Sequence, residues 1–139
     1  MRQQRTPDEA CVRRDWSASV GGFLAVWVAP ALAGLVTSVL SPSLVWTAGA
    51  WSLALAWMGV ACLINARRCS RLHCYFSGPI LLVGAASIAA VGFAGLELGP
   101  GALPVTIIAT LGLAALTYVL ELIWGRYVSP EPTVTRDHD

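Results

Sequence analysis

From Trp16 to Ala66 the chain carries no charged side chain. A stretch of that length cannot be a solvated loop, and nothing along it supplies the wet face of a surface helix. At about 1.5 Å per residue, roughly twenty residues cross the roughly 30 Å hydrocarbon core of a bilayer, so the stretch holds two spans. Ser41, Pro42 and Ser43 supply the break. The spans are expected over about 19–40 and 44–65, joined as a tight hairpin.

The remainder repeats the pattern. Hydrophobic residues make up 56% of the 139-residue chain and charged residues 12%, which is not the balance of a soluble domain. A third span is expected over about 78–98, opened by Ser77, Gly78 and Pro79, where serine can cap free amides and proline fits the first turn. Gly99-Pro100-Gly101 breaks it, and a fourth span follows over about 103–124. The expected fold is an all-α integral membrane protein, a bundle of four transmembrane helices over 16–126 with a connecting loop at 66–77. Polar tails at 1–15 and 127–139 flank it. Arg13-Arg14 and Ala31-Leu32-Ala33 resemble parts of a secretory signal, but the apolar run continues to Leu40, longer than a signal core, so the first span is expected to be retained.

All nine basic residues are arginine, and their positions set an orientation. Arg2, Arg5, Arg13 and Arg14 precede the first span, Arg67, Arg68 and Arg71 separate the second from the third, and Arg126 and Arg136 follow the fourth. By the positive-inside rule both termini and the middle loop face the cytoplasm of a multi-pass protein in the cell (inner) membrane. A net charge of +1 gives no reason to expect nucleic acid as a partner.

Small residues let membrane helices approach closely. Rows of them are Ala25, Ala29 and Ala33 in span one, Ala86, Ala90 and Ala94 in span three, and Ala109, Gly112 and Ala115 in span four. Pro30 removes a helical hydrogen bond in mid-span and is expected to kink it.

Span two carries a stripe of a different kind. Trp51, Leu55, Met58, Cys62, Asn65 and Cys69 recur at alternating steps of four and three, one face of a helix that grows more polar toward the arginines. Thioether, thiol, amide and thiol in that order could pass a soft cation along, with Met58 and Asn65 in support. The plainer reading is that cysteine and methionine fill a core. On an unbroken helix Cys62 and Cys69 are about 10 Å apart along the axis, too far to share one ion.

The segment after it concentrates chemistry. Cys69 and His73, four apart, would meet on a helical turn, and Cys74 could join them if the backbone turns before Ser77. Cys69, His73 and Cys74 are thus the expected soft-metal ligands, with Cys62 or Cys11 as exchange partners. Positive charge from Arg67, Arg68 and Arg71 favours a thiolate at Cys69, the form that binds metal. The same arginines also suit anionic headgroups, or a phosphate at a helix start. Glu121, near the end of span four, would pair with Arg67, Arg68 or Arg126, or assist release of a cation or proton.

The string Arg68-Cys69, Arg71, His73-Cys74-Tyr75-Phe76 and Gly78-Pro79 resembles a signature of small prokaryotic four-span membrane proteins. The layout is also loosely similar to the mercuric-ion uptake membrane proteins, which implies soft-metal handling. Those proteins have a cysteine pair in the first span, and this chain has no cysteine there.

Two functions follow as expectations. One is a small membrane protein that binds or carries a thiophilic cation, mercuric, cuprous or zinc, with a cytoplasmic thiol protein or a second copy as partner. The other is an accessory or structural subunit whose arginine loop binds anionic lipid or a partner protein. Enzyme readings are weak, because no nucleotide-binding glycine motif, metalloprotease helix or CxxC pair is present.

Overall fold

The computed structural model describes residues 15, 16, 19–69, 71–93, 99 and 101–124. Among them are four helices: α1 Val20–Leu40, α2 Leu44–Cys69, α3 Leu72–Phe93 and α4 Ala102–Trp124. All four are long and apolar enough to cross a membrane. Their surface is inverted relative to a soluble bundle: Val39, Leu53, Val83, Ile108 and Leu122 point outward, whereas Asp15, Asn65, His73, Ser77, Thr110 and Thr117 are buried. Apolar outside and polar inside is the arrangement a hydrocarbon solvent selects. The chain is a multi-pass helical membrane protein.

Ser19 starts α1, its hydroxyl accepting the Gly22 N–H at 3.1 Å. Between Leu24 and Val28 the helix widens to a π turn, and the Ala29 N–H donates to the Leu24 carbonyl five residues back. Pro30 is the cause that fits: it has no N–H and its ring would collide with the carbonyl four residues behind it, so the preceding turn widens. The disturbance expected at Pro30 thus takes the form of a π turn. Only Val26 and Gly34 of α1 are buried, which makes it the least embedded helix.

The helix α2 has 26 residues, about 39 Å at the helical rise, so its arginine-bearing end outlasts the hydrocarbon core. The stripe anticipated from the sequence is its buried face: Trp51, Leu55, Met58, Cys62 and Asn65 are all at most 4% exposed. The same helix runs unbroken to Cys69.

The third helix differs from expectation at its start. It begins at Leu72, so Ser77, Gly78 and Pro79 lie inside it. The buried face explains why: His73, Cys74, Ser77, Gly78, Leu81, Gly84, Ala85, Ile88 and Val91 follow the helical period without a break at residue 77. Gly99 and Gly101, with φ of 87° and 102°, take left-handed values in the connection to α4 that suit glycine.

Packing proceeds by close backbone approach, but not along the expected rows. Ala25, Ala29, Ala33, Ala86, Ala109, Gly112 and Ala115 are exposed, Ala90 is half-buried, and Ala94 lies outside the described residues. The contacts fall elsewhere. A Cβ at Gly59 would sit 3.0 Å from the Gly78 carbonyl oxygen, Gly92 lies against Ala48, Gly84 against Thr110, and Gly34 against the Trp51 ring. These contacts set α2 antiparallel to α3 and hold α4 and α1 on either side. Along α4 the buried positions are Leu103, Ile107, Thr110, Ala114 and Thr117, steps of four and three that bundle helices use.

Gly92→Ala would put a methyl into the Ala48 Cβ, which is fixed to backbone and cannot rotate away. The expected loss is about 1–3 kcal/mol of stability, the usual range for overpacking. Gly112→Ala, with open space around it, should lose nothing. Thermal unfolding in detergent micelles, followed by circular dichroism, distinguishes the two.

Candidate functional site

Where α2 turns into α3 the bundle closes around a polar cluster. Antiparallel pairing fixed by Gly59 and Gly78 carries Cys62, one helical turn further along α2, to Cys74 and Ser77 on α3. Cys62 and Cys74 line one small space between the helices, and both cysteines are free. The Ser77 hydroxyl donates to the Cys62 sulfur at 3.6 Å. The Asn65 amide donates to the Cys74 sulfur, also at 3.6 Å.

The His73 imidazole stands beside the thiols, its Nε2 3.3 Å from the Cys74 Sγ. Its ring stacks on Tyr118 of α4, centroids 4.0 Å apart and planes 24° from parallel. His73, Cys74 and Ser77 have no exposed surface. Adjacent residues on a helix diverge by about 100°, but the imidazole is long enough to swing back to the neighbouring sulfur. No turn in the backbone is needed.

A second layer covers the thiols. Asp15, 3% exposed, pairs with Arg71 and accepts the Asn65 amide at 2.9 Å. The Trp16 N–H donates to the Asn65 Oδ1 at 3.4 Å, and the Trp16 ring lies under Arg68, whose guanidinium carbon is 4.9 Å from the ring centroid. Asn65 therefore touches both the ion pair and a thiol. Between the layers a space of about 10 Å³ is lined by Trp16, Val26, Trp27, Ala61, Cys62, Asn65 and Cys74. That volume is about one water, or one bare cation.

The residues expected to form the site separate into groups. Cys62, Asn65, His73 and Cys74 come together. Cys69 ends α2 and His73 lies on α3, so no single helical turn joins them. Met58 is buried one turn inward from Cys62. Arg67 and Arg68 are exposed at the end of α2, whereas Arg71 turns inward to Asp15. The side chains of Cys69 and Glu121, and all of Cys11 and Arg126, lie outside the described residues. Among the described residues no group of three or more His, Cys, Asp or Glu side chains is arranged to hold a metal ion. What the cluster offers is a thiol pair with one imidazole against it.

Asp15, Trp16, Ser77 and Tyr118 were not anticipated as site residues. Asp15 ends the segment assigned to a polar tail and Trp16 opens the membrane domain, 50 and 49 positions from the asparagine they bind, and no periodicity reports such a contact. Ser77 had a signal in hindsight: it continues the spacing of His73 and Cys74 on one helical face.

No family model matches the chain, and neither a curated protein nor a solved structure does.

Adjacency of the two thiols has a direct consequence. In a Cys11→Ser/Cys69→Ser background, one equivalent of phenylarsine oxide should consume both remaining thiols, since trivalent arsenic closes a ring only on neighbouring sulfurs. Thiol counting before and after addition gives the result. Loss of one thiol per arsenic would show Cys62 and Cys74 apart.

Proposed function

We propose that this protein binds a thiophilic cation between Cys62 and Cys74, with His73 beside them, at the cytoplasmic end of its membrane domain. The observation that carries the reading is the space of about 10 Å³ lined by both Cys62 and Cys74, with Asn65 beside them and Trp16, Val26, Trp27 and Ala61 completing its wall. Soft cations select thiolates. Mercuric and cuprous ions accept as few as two of them, so a thiol pair is a sufficient site. Zinc is a poorer match, because it takes four ligands in a tetrahedral set and the described residues do not supply one.

Each ligand contributes differently. Cys62 and Cys74 give up protons on binding, and their sulfurs carry the charge that holds the ion. Asn65, hydrogen-bonded to the Cys74 sulfur, orients that sulfur and stabilises negative charge on it. The Ser77 hydroxyl does the same at Cys62. Met58, one turn deeper on α2, is the next soft donor toward the middle of the bundle and marks the direction of a relay. The orientation rests on the arginines at the α2–α3 connection.

Arg67 and Arg68, exposed at that end, also fit anionic headgroups. That contact suits an accessory subunit as well as a carrier, and it does not use the thiols.

Titration of the purified protein with mercuric ion, or with cuprous ion under anaerobic conditions, tests the proposal. One equivalent is expected in the wild type. Cys62→Ser and Cys74→Ser should each weaken binding by at least about 100-fold, the upper end of what a change in an outer-shell partner does. Asn65→Ala should fall within that outer-shell range, about 10–100-fold. Equal stoichiometry and affinity in wild type and the Cys62→Ser/Cys74→Ser variant would defeat the cation reading.

A further inference from the structure

The segment ahead of α1 does more than lead into the membrane. Trp16 forms one wall of the space that touches Cys62 and Cys74, so the thiols are covered by a piece of chain that belongs to neither α2 nor α3. Four contacts hold it down. Asp15 pairs with Arg71 and accepts from Asn65, the Trp16 N–H reaches the Asn65 carbonyl oxygen, and Arg68 lies over the Trp16 ring. All four run to the α2–α3 end.

A further feature is steric. The Trp16 carbonyl packs onto Gly22 of α1 in the place where a Cβ would stand, and it also accepts the Ser19 hydroxyl at 3.3 Å. Only glycine at position 22 lets the chain fold back this closely. Ser19, extended at φ −95° and ψ 138°, is the bend between the covering segment and the helix. Since α1 itself has only Val26 and Gly34 buried, the anchorage at its start rests heavily on Asp15 and Trp16.

We propose that Asp15 and Trp16 form a latch over the thiol pair: the Asp15–Arg71 ion pair and the seat of Trp16 on Gly22 hold it shut, and its release exposes Cys62 and Cys74 to an incoming ligand. The latch stands on the geometry of the thiol site and does not depend on which ligand the thiols take. Its parts suit a reversible cover. An ion pair at the end of a bundle is directional and can reform after opening, and the covered groups include the asparagine that bonds both the carboxylate and the Cys74 sulfur.

The test is the rate at which N-ethylmaleimide alkylates Cys62 and Cys74 in a Cys11→Ser/Cys69→Ser protein in detergent, with no metal present. Asp15→Asn, which breaks the buried pair, and Gly22→Ala, which unseats Trp16 while leaving every charge in place, should each accelerate alkylation about tenfold or more. Arg67→Gln, on an exposed arginine outside the latch, should leave the rate unchanged. Should Asp15→Asn lose its helical circular dichroism, Gly22→Ala decides alone. Wild-type rates in folded Gly22→Ala, or acceleration by Arg67→Gln equal to that of the latch variants, would overturn the latch. Accelerated variants in a protein that binds no soft cation uphold the latch and defeat the cation reading; cation binding without acceleration does the reverse.

Discussion

The approach of α2 and α3 at Gly59 and Gly78 determines what the rest of the molecule can do. With hydrogen in place of side chains, the two backbones come near enough for the Gly78 carbonyl to occupy the edge of the Gly59 position. That closeness sets the register of the hairpin, and the register decides which side chains meet one turn further on. Cys62 meets Cys74 and Ser77 because Gly59 meets Gly78. Lipid gives helices no hydrophobic reason to associate, so such contacts, together with hydrogen bonds between helices, carry the association.

The polar cluster built on that register is expensive to bury and is correspondingly well satisfied. Asn65 uses its amide on Asp15 and Cys74 and its carbonyl on the Trp16 N–H. Asp15, buried and ionised, has Arg71 and Asn65. A carboxylate withdrawn from water without such partners would be strongly destabilising. Two free thiols at the centre of this arrangement are covered by the same groups that neutralise one another, so chemistry at the sulfurs and the state of the ion pair share a common element in Asn65.

Sequence reading recovered what depends on period and length. The four spans follow from apolar runs and the Ser41–Ser43 and Gly99–Gly101 breaks, and the Trp51 to Asn65 stripe on α2 follows from its steps of four and three. Packing faces elsewhere were not legible. In a membrane helix the outward face is as apolar as the inward one, so Ala25, Ala29 and Ala33 look like an interface and yet lie outside, while the contacts fall at Gly34, Gly59, Gly84 and Gly92. Ser77, Gly78 and Pro79 read as a helix start because serine caps and proline fits a first turn. In the fold the apolar and thiol face of α3 continues through them to Leu72, and burial of that face outweighs the local signal. Asp15 was invisible for another reason: its partners Asn65 and Arg71 are 50 and 56 positions away, and a carboxylate beside two arginines looks like surface.

The fold sharpens the case for a ligand at the thiols. Arginines at a loop are explained by orientation alone, and buried cysteines by packing alone. Neither explains a small space with both cysteines on its wall, an imidazole against one sulfur, and an asparagine and a serine each giving a hydrogen bond to a sulfur. Core filling would be served better by alanine or valine, which bring no polar atoms needing partners. Sulfur with oriented donors around it is instead suited to becoming negatively charged, and the described surroundings already balance their own charge through Asp15 and Arg71. A mercuric ion held by the two thiolates would restore neutrality within the bundle and a cuprous ion would halve their charge, where uncompensated thiolates would be held at a large desolvation penalty.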